Sequence, residues 1–131
     1  MGEAENVELV RIAYERWNAT GRVAKELLDP EVEWFTPLGT DGRVLQGPEE
    51  VERNLADILD TYEFMRNEPQ RIEAAGDLVV VVSRTTIRGR GSGIDLVNHA
   101  AHVWTVRDGR ALRFEVYEDI DAALRLVGAK P

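Results

Sequence analysis

The hydrophobic period of this chain changes once, and that change limits the folds open to it. Up to residue 62 the apolar side chains recur every three or four positions, with one strand-like interruption; from Phe64 onward they alternate. Val7, Val10, Tyr14 and Trp17 mark one stripe of a helix from about Glu5 to Asn18. Thr20-Gly21 breaks it, and Val23, Ala24, Leu27 and Leu28 predict a second, short helix that Pro30 ends. Val32, Trp34 and Thr36 then alternate with Glu31, Glu33 and Phe35 as a strand, which Pro37 and a Gly-rich stretch to Gly47 stop. Pro48 suits the first turn of a third helix, with Val51, Leu55, Ile58, Leu59 and Tyr62 along one face. Four strands follow, near 64–74, 77–88, 94–106 and 110–118, joined by Ala75-Gly76-Asp77, the Gly89 to Gly93 loop and Asp108-Gly109, the last a tight-hairpin signal. A short helix, Asp121 to Val127, precedes Gly128. This order predicts an α+β fold in which helices cover one face of a mostly antiparallel sheet.

A length of 131 residues fits one domain spanning 1–131. With 24 acidic against 16 basic residues the net charge is −8, which repels phosphate backbones and anionic lipid, so neither nucleic acid nor a membrane is an expected partner. The absence of Cys excludes disulfides and thiolate chemistry. The acidic N-terminus lacks a signal-peptide pattern, and the longest apolar run, Leu78 to Val82, is too short to cross a bilayer. The expected location is therefore cytoplasmic.

Polar residues inside the strand pattern point to a pocket. Between 94 and 106 the even positions Ile94, Leu96, Ala100, Trp104 and Val106 read as the inner face, which carries Asn98 and His102 with them. Leu112, Phe114 and Val116 share that phase in the next strand and leave Glu118 at its inner mouth. The strand 78–88 is ambiguous: Leu78, Val80 and Val82 compete with Val79, Val81 and Ile87, and an even inner phase would place Arg84 and Thr86 inside. Buried polar groups without partners are costly, so such a set suggests a lined cavity. In it His102 would titrate near neutrality and move a proton, Arg84 would stabilise negative charge, and Glu118 would act as acid or base or orient the imidazole. The plainer alternative is a satisfied core histidine with Arg84 and Glu118 as an internal ion pair. His99 belongs on the outer face. Two histidines without Cys make a poor metal site, and Gly89-Arg90-Gly91-Ser92-Gly93 joins strand to strand, so it cradles no phosphate. No metal and no cofactor is expected.

Four segments, in order and spacing, carry a family resemblance: Tyr14-Glu15-Arg16-Trp17-Asn18, Leu28-Asp29-Pro30-Glu31-Val32-Glu33-Trp34, Gly47-Pro48-Glu49-Glu50-Val51, and His102-Val103-Trp104-Thr105-Val106-Arg107-Asp108-Gly109. Through them the chain resembles the nuclear transport factor two-like superfamily, in its SnoaL-like, ketosteroid-isomerase-like branch. The resemblance implies a cone of curved sheet wrapped by N-terminal helices around a pocket, a small-molecule ligand, a homodimer, and an inward Arg84. It also exposes departures. The isomerases' base before a Pro is Thr36 here, their oxyanion-hole Tyr falls at Ala13 beside Tyr14, and their oxyanion-hole Asp falls at His102. Epoxide-hydrolase-like members match near Arg84 but find Thr85 or Thr86 and Val116 in place of their acids. The cyclases' acid on the last strand would be Glu115 only in a shifted register. The expected site is thus His102, Arg84 and Glu118 for chemistry, lined by Tyr14, Trp17, Trp34, Thr36, Tyr62, Thr86, Asn98, Trp104, Phe114 and Val116. Two functions compete: a cofactor-free acid/base enzyme of isomerase, cyclase or epoxide-hydrolase type on an apolar or polyketide-like substrate, and a non-catalytic homodimer that binds a hydrophobic ligand. A protein-interaction module is a weaker third.

Overall fold

A computed structural model describes residues 2–131. Helix α1 (Glu3–Thr20) begins with Glu3 and Glu5 against its positive end and stops at Gly21, whose left-handed backbone (φ 69°) lets its N–H return to the Trp17 carbonyl at 2.8 Å. Strands β1 (Leu28–Phe35) and β2 (Leu45–Gln46) follow, then α2 (Pro48–Thr61), entered through Gly47 at φ 83° with Pro48 in the first turn. The second half is a meander of β3 (Tyr62–Ala75), β4 (Leu78–Gly89), β5 (Asp95–Arg107) and β6 (Arg110–Tyr117), closed by α3 (Ile120–Arg125). Asp108 and Gly109 both have positive φ, 52° and 76°, the two-residue turn whose twist matches its strands.

The six strands lie in the order β2-β1-β6-β5-β4-β3, antiparallel except where β1 runs parallel to β6. Register shifts between Tyr62 and Phe64, between Pro69 and Arg71, and between Thr105 and Val106 mark where the ladder bends. The result is an α+β cone: a curved sheet whose concave face receives α1 and α2. The main core joins Leu9, Val10 and Tyr14 of α1 to Val32, Trp34, Val79, Val81, Trp104 and Phe114 of the sheet.

Several expectations need correction. The helix expected over Val23 to Leu28 is a single 3-10 turn, Lys25–Leu27, because Leu28 already pairs with Ala111 as part of β1. The last helix packs on the opposite, convex face, where Ala123 and Leu124 cover Val80, Ala101 and Val103. Asp119 caps it by accepting the Ala122 N–H at 3.0 Å. Asp119→Ala should cost about 1 kcal/mol, read as a drop of about 4 °C in the thermal midpoint; an unchanged midpoint would show that α3 contributes nothing to global stability. In β6 the bulge gives the inner position to Ala111 rather than Leu112. Ile94 and Leu96, expected in the core, are 63% and 62% exposed, and neither packs against a core cluster at this end of the β4–β5 hairpin.

The phase of β4 is the correction that matters for chemistry. Val79 pairs with Trp104, Val81 with His102 and Thr85 with Asn98, and directly opposed residues share a face, so the odd positions of β4 point inward. Arg84 and Thr86 therefore sit on the convex face, opposite His99 and Val97.

Candidate functional site

A cavity of about 330 Å³ opens between the concave sheet face and the two long helices, at the lower end of the range for small-molecule sites. Each element sends residues into it according to its period. From α1 come Tyr14 and Trp17, one turn apart; from β1, Trp34, with Thr36 just past its end; from β5, the even set Asn98, Ala100, His102 and Trp104; from β6, Phe114 and Val116. Burial falls along β5 from Trp104 and His102, 4% and 7% exposed, to the exposed Asn98, so the cavity has a closed end and a mouth.

At the closed end the polar atoms are linked. The Trp104 Nε1–H can only donate, and it donates to Tyr14 Oη at 3.1 Å. Tyr14 Oη lies 2.6 Å from His102 Nδ1. With the tyrosine oxygen accepting from Trp104, its own proton is directed to Nδ1, an assignment from the network that leaves the histidine proton on Nε2. Among the described residues Nε2 has no hydrogen-bond partner, and it is not fully enclosed, so it faces the cavity. The rings are held as well: the planes of Tyr14 and His102 are parallel within 3°, and the Phe114 and His102 ring centroids are 5.1 Å apart. Burial pulls the His102 pKa down to about 4 and pushes the Tyr14 hydroxyl well above the usual phenol range, against the smaller opposing effect of the Trp104 hydrogen bond. Both groups are neutral at physiological pH.

Among the described residues no Asp, Glu, Lys or Arg lines the cavity. Arg84 is exposed and reaches toward Glu68 on the convex face, with 4.0 Å between them. Glu118 follows β6 in an exposed connection to α3 and stands outside the cavity. Tyr62 opens β3 instead of ending the helix and, like Thr86, is not part of the lining. The structure thus brings His102 together with Tyr14, Trp17, Trp34, Thr36, Asn98, Trp104, Phe114 and Val116, and leaves Arg84, Glu118, Tyr62 and Thr86 out.

The sequence reading overlooked the β3 and α2 contributions. Asn67 lines the mouth, held because Asn18 of α1 pairs with its backbone like a neighbouring strand: Asn18 Nδ2 donates to the Asn67 carbonyl at 2.6 Å and Asn67 N–H to Asn18 Oδ1 at 3.0 Å. Trp17 Nε1–H fastens the same two elements by donating to the Met65 carbonyl at 3.0 Å. Asn54 of α2 donates to the Leu38 carbonyl at 3.1 Å and ties the loop after β1 to the cavity wall. Only the odd phase of β4 would have flagged Thr85, and the Val79 to Val82 run hides that phase.

A family model, the SnoaL-like domain, matches residues 10–114. The chain belongs to the SnoaL-like family. Among solved structures, this SnoaL-like chain is similar to a nuclear transport factor two-like protein of unknown function from Burkholderia pseudomallei, at 26% identity and a TM-score of 0.76, covering 98% of this chain and 100% of that one. It is also similar to TerC, co-crystallised with polyporic acid, at 26% identity and a TM-score of 0.75, covering 95% and 99% of the two chains. A putative SnoaL-like polyketide cyclase from Jannaschia shares the fold at 20% identity and a TM-score of 0.74, over 98% of this chain and 95% of that one. No curated protein matches. The SnoaL-like cone contains no helix long and apolar enough to cross a membrane among its described residues.

Proposed function

We propose that this SnoaL-like protein binds a small, uncharged, mostly apolar molecule and places one of its oxygens, carbonyl or enol, on His102 Nε2–H. The observation that carries this reading is the composition of the cavity: a largely apolar lining whose only titratable groups among the described residues are the mutually hydrogen-bonded Tyr14 and His102. A charged ligand buried there would find no counter-charge, and burying an unpaired charge is far costlier than burying a neutral polar group. The neutral imidazole is a fixed donor. Tyr14 orients it, Trp104 orients Tyr14, and a donor preorganised in a dry site can stabilise charge that develops on a carbonyl oxygen. TerC with polyporic acid supports the reading that a similar cone takes up an organic molecule.

All three tryptophans, Trp17, Trp34 and Trp104, line the cavity, so their fluorescence reports occupancy. Titrated with chalcone, a neutral aryl ketone, the wild-type protein should show saturable quenching. His102→Ala should weaken binding about fivefold, the worth of one net hydrogen bond of about 1 kcal/mol, while Arg84→Ala leaves it unchanged. Absence of saturable quenching in the wild type, or equal affinity in His102→Ala, would overturn the assignment.

A second reading, binding without chemistry, is favoured by the lack, among the described residues, of any carboxylate in the lining to serve as base. Deuterium exchange α to the carbonyl of α-tetralone separates the two. Exchange above the buffer rate that disappears in His102→Ala establishes acid/base chemistry, and its absence beside intact chalcone binding establishes the binding protein.

A further inference from the structure

The cavity has a second polar feature, remote from Tyr14 and His102. Asn67 of β3, Thr85 of β4 and Asn98 of β5 are directly opposed across three adjacent strands, Asn67 with Thr85 and Thr85 with Asn98, and all three line the mouth. Thr85 Oγ1–H donates to Asn67 Oδ1 at 2.8 Å, which fixes that amide's orientation and directs its Nδ2 donors elsewhere. Asn67 Nδ2 and both polar atoms of the Asn98 side chain have no protein partner among the described residues. Between this row and His102 the β5 face offers only Ala100; its β4 partner Ser83 is fully buried and does not line the cavity, and Ile87 and Met65, directly opposed to each other, line it beyond the row. Asn98 and His102 are four residues apart, roughly 13 Å along an extended strand.

Resting on the reading that the cavity holds a neutral molecule on His102, we infer that the Asn67–Thr85–Asn98 row is a second recognition point. It reads a hydroxyl or carbonyl at the far end of the ligand. The ligand class is then narrower than an apolar ketone: a two-ended molecule with an oxygen at each end of an apolar body. The physical reason is the pattern of unused bonding capacity. Asn67 has its acceptor occupied and its donors unpaired, whereas Asn98 offers both; an apolar ligand end pushed against them would strip their water and return no hydrogen bond.

The comparison of chalcone with 4-hydroxychalcone tests this. The wild-type protein should prefer the hydroxylated probe at least about threefold, somewhat less than a fully buried hydrogen bond gives because the mouth is partly solvated. The triple variant N67A/T85V/N98A should bring the ratio close to one; Asn98 is exposed, Thr85→Val is nearly isosteric, and Asn18 holds the backbone of Asn67 and not its side chain, so the fold is not at stake. His102→Ala should weaken both probes and keep the ratio. Equal affinity of wild type for the two probes, or a ratio that survives N67A/T85V/N98A, overturns the second recognition point while leaving the His102 contact standing. Failure of both probes to bind the wild type overturns the cavity reading and this inference together.

Discussion

Trp34→Ala lowers the free energy of unfolding by about 3–5 kcal/mol, the range for removing a large aromatic from a packed interior. Trp34 is 6% exposed and stands where every layer of the concave core meets. Its ring stacks on Phe114 at 4.0 Å between centroids and meets Trp104 edge-on at 5.5 Å, and Trp104 in turn holds Tyr14 by its Nε1–H. Aromatic pairs in these geometries contribute about 0.5–1.5 kcal/mol each beyond the area they bury. Parallel pairing of β1 with β6 places Trp34 opposite Phe114, so the loss also loosens the one parallel joint of the sheet. Guanidinium titration measures it as a lower midpoint at unchanged slope. A change under 1 kcal/mol would mean that the aromatic cluster is not the centre of the core.

The second large effect is on pH dependence. His102 has its folded pKa pulled by burial to about 4, below the unfolded value of about 6.5. Above pH 6.5 the residue is neutral in both states and contributes nothing to the pH slope. As pH falls from 6.5 toward 4, the unfolded chain takes up a proton that the folded chain refuses, and stability is lost. The full loss attributable to this one group is about 3 kcal/mol, reached near pH 4. Carboxylates titrate across part of the same window, so the quantity to measure is the difference between the wild-type and His102→Gln curves. That difference should open below pH 6.5 and level off near 4. Parallel curves would show that His102 is protonated as readily in the fold as in water, and that its imidazole is not enclosed.

Much of this architecture was legible because it is written in local periods. The α1 stripe of Val10, Tyr14 and Trp17, the even face of β5 and the turns at Asp108-Gly109 and Pro48 depend on near neighbours in the chain, and each leaves a spacing that can be counted. The inward set Tyr14, His102, Trp104 and Phe114 follows from those spacings alone. What could not be read is the phase of a strand with apolar residues on both faces. From Leu78 to Val82 every residue of β4 is apolar, because α3 covers one side and α1 the other, so no alternation survives to say which side is which. The family resemblance pointed to an inward Arg84. The pairing with β5 settles otherwise, and a one-residue change of phase moves every side chain to the opposite face.

The site shows the same division. The sequence by itself determined an acidic, cysteine-free α+β chain with a histidine and aromatics on the inner face of a meander, since those are matters of composition and period. Only the tertiary structure decided that the cavity has no charged lining among the described residues, that Tyr14 and His102 meet 88 residues apart in the chain, and that Asn67, Thr85 and Asn98 form one row across three strands. Contacts between elements depend on register and on what covers each face, and neither quantity is local.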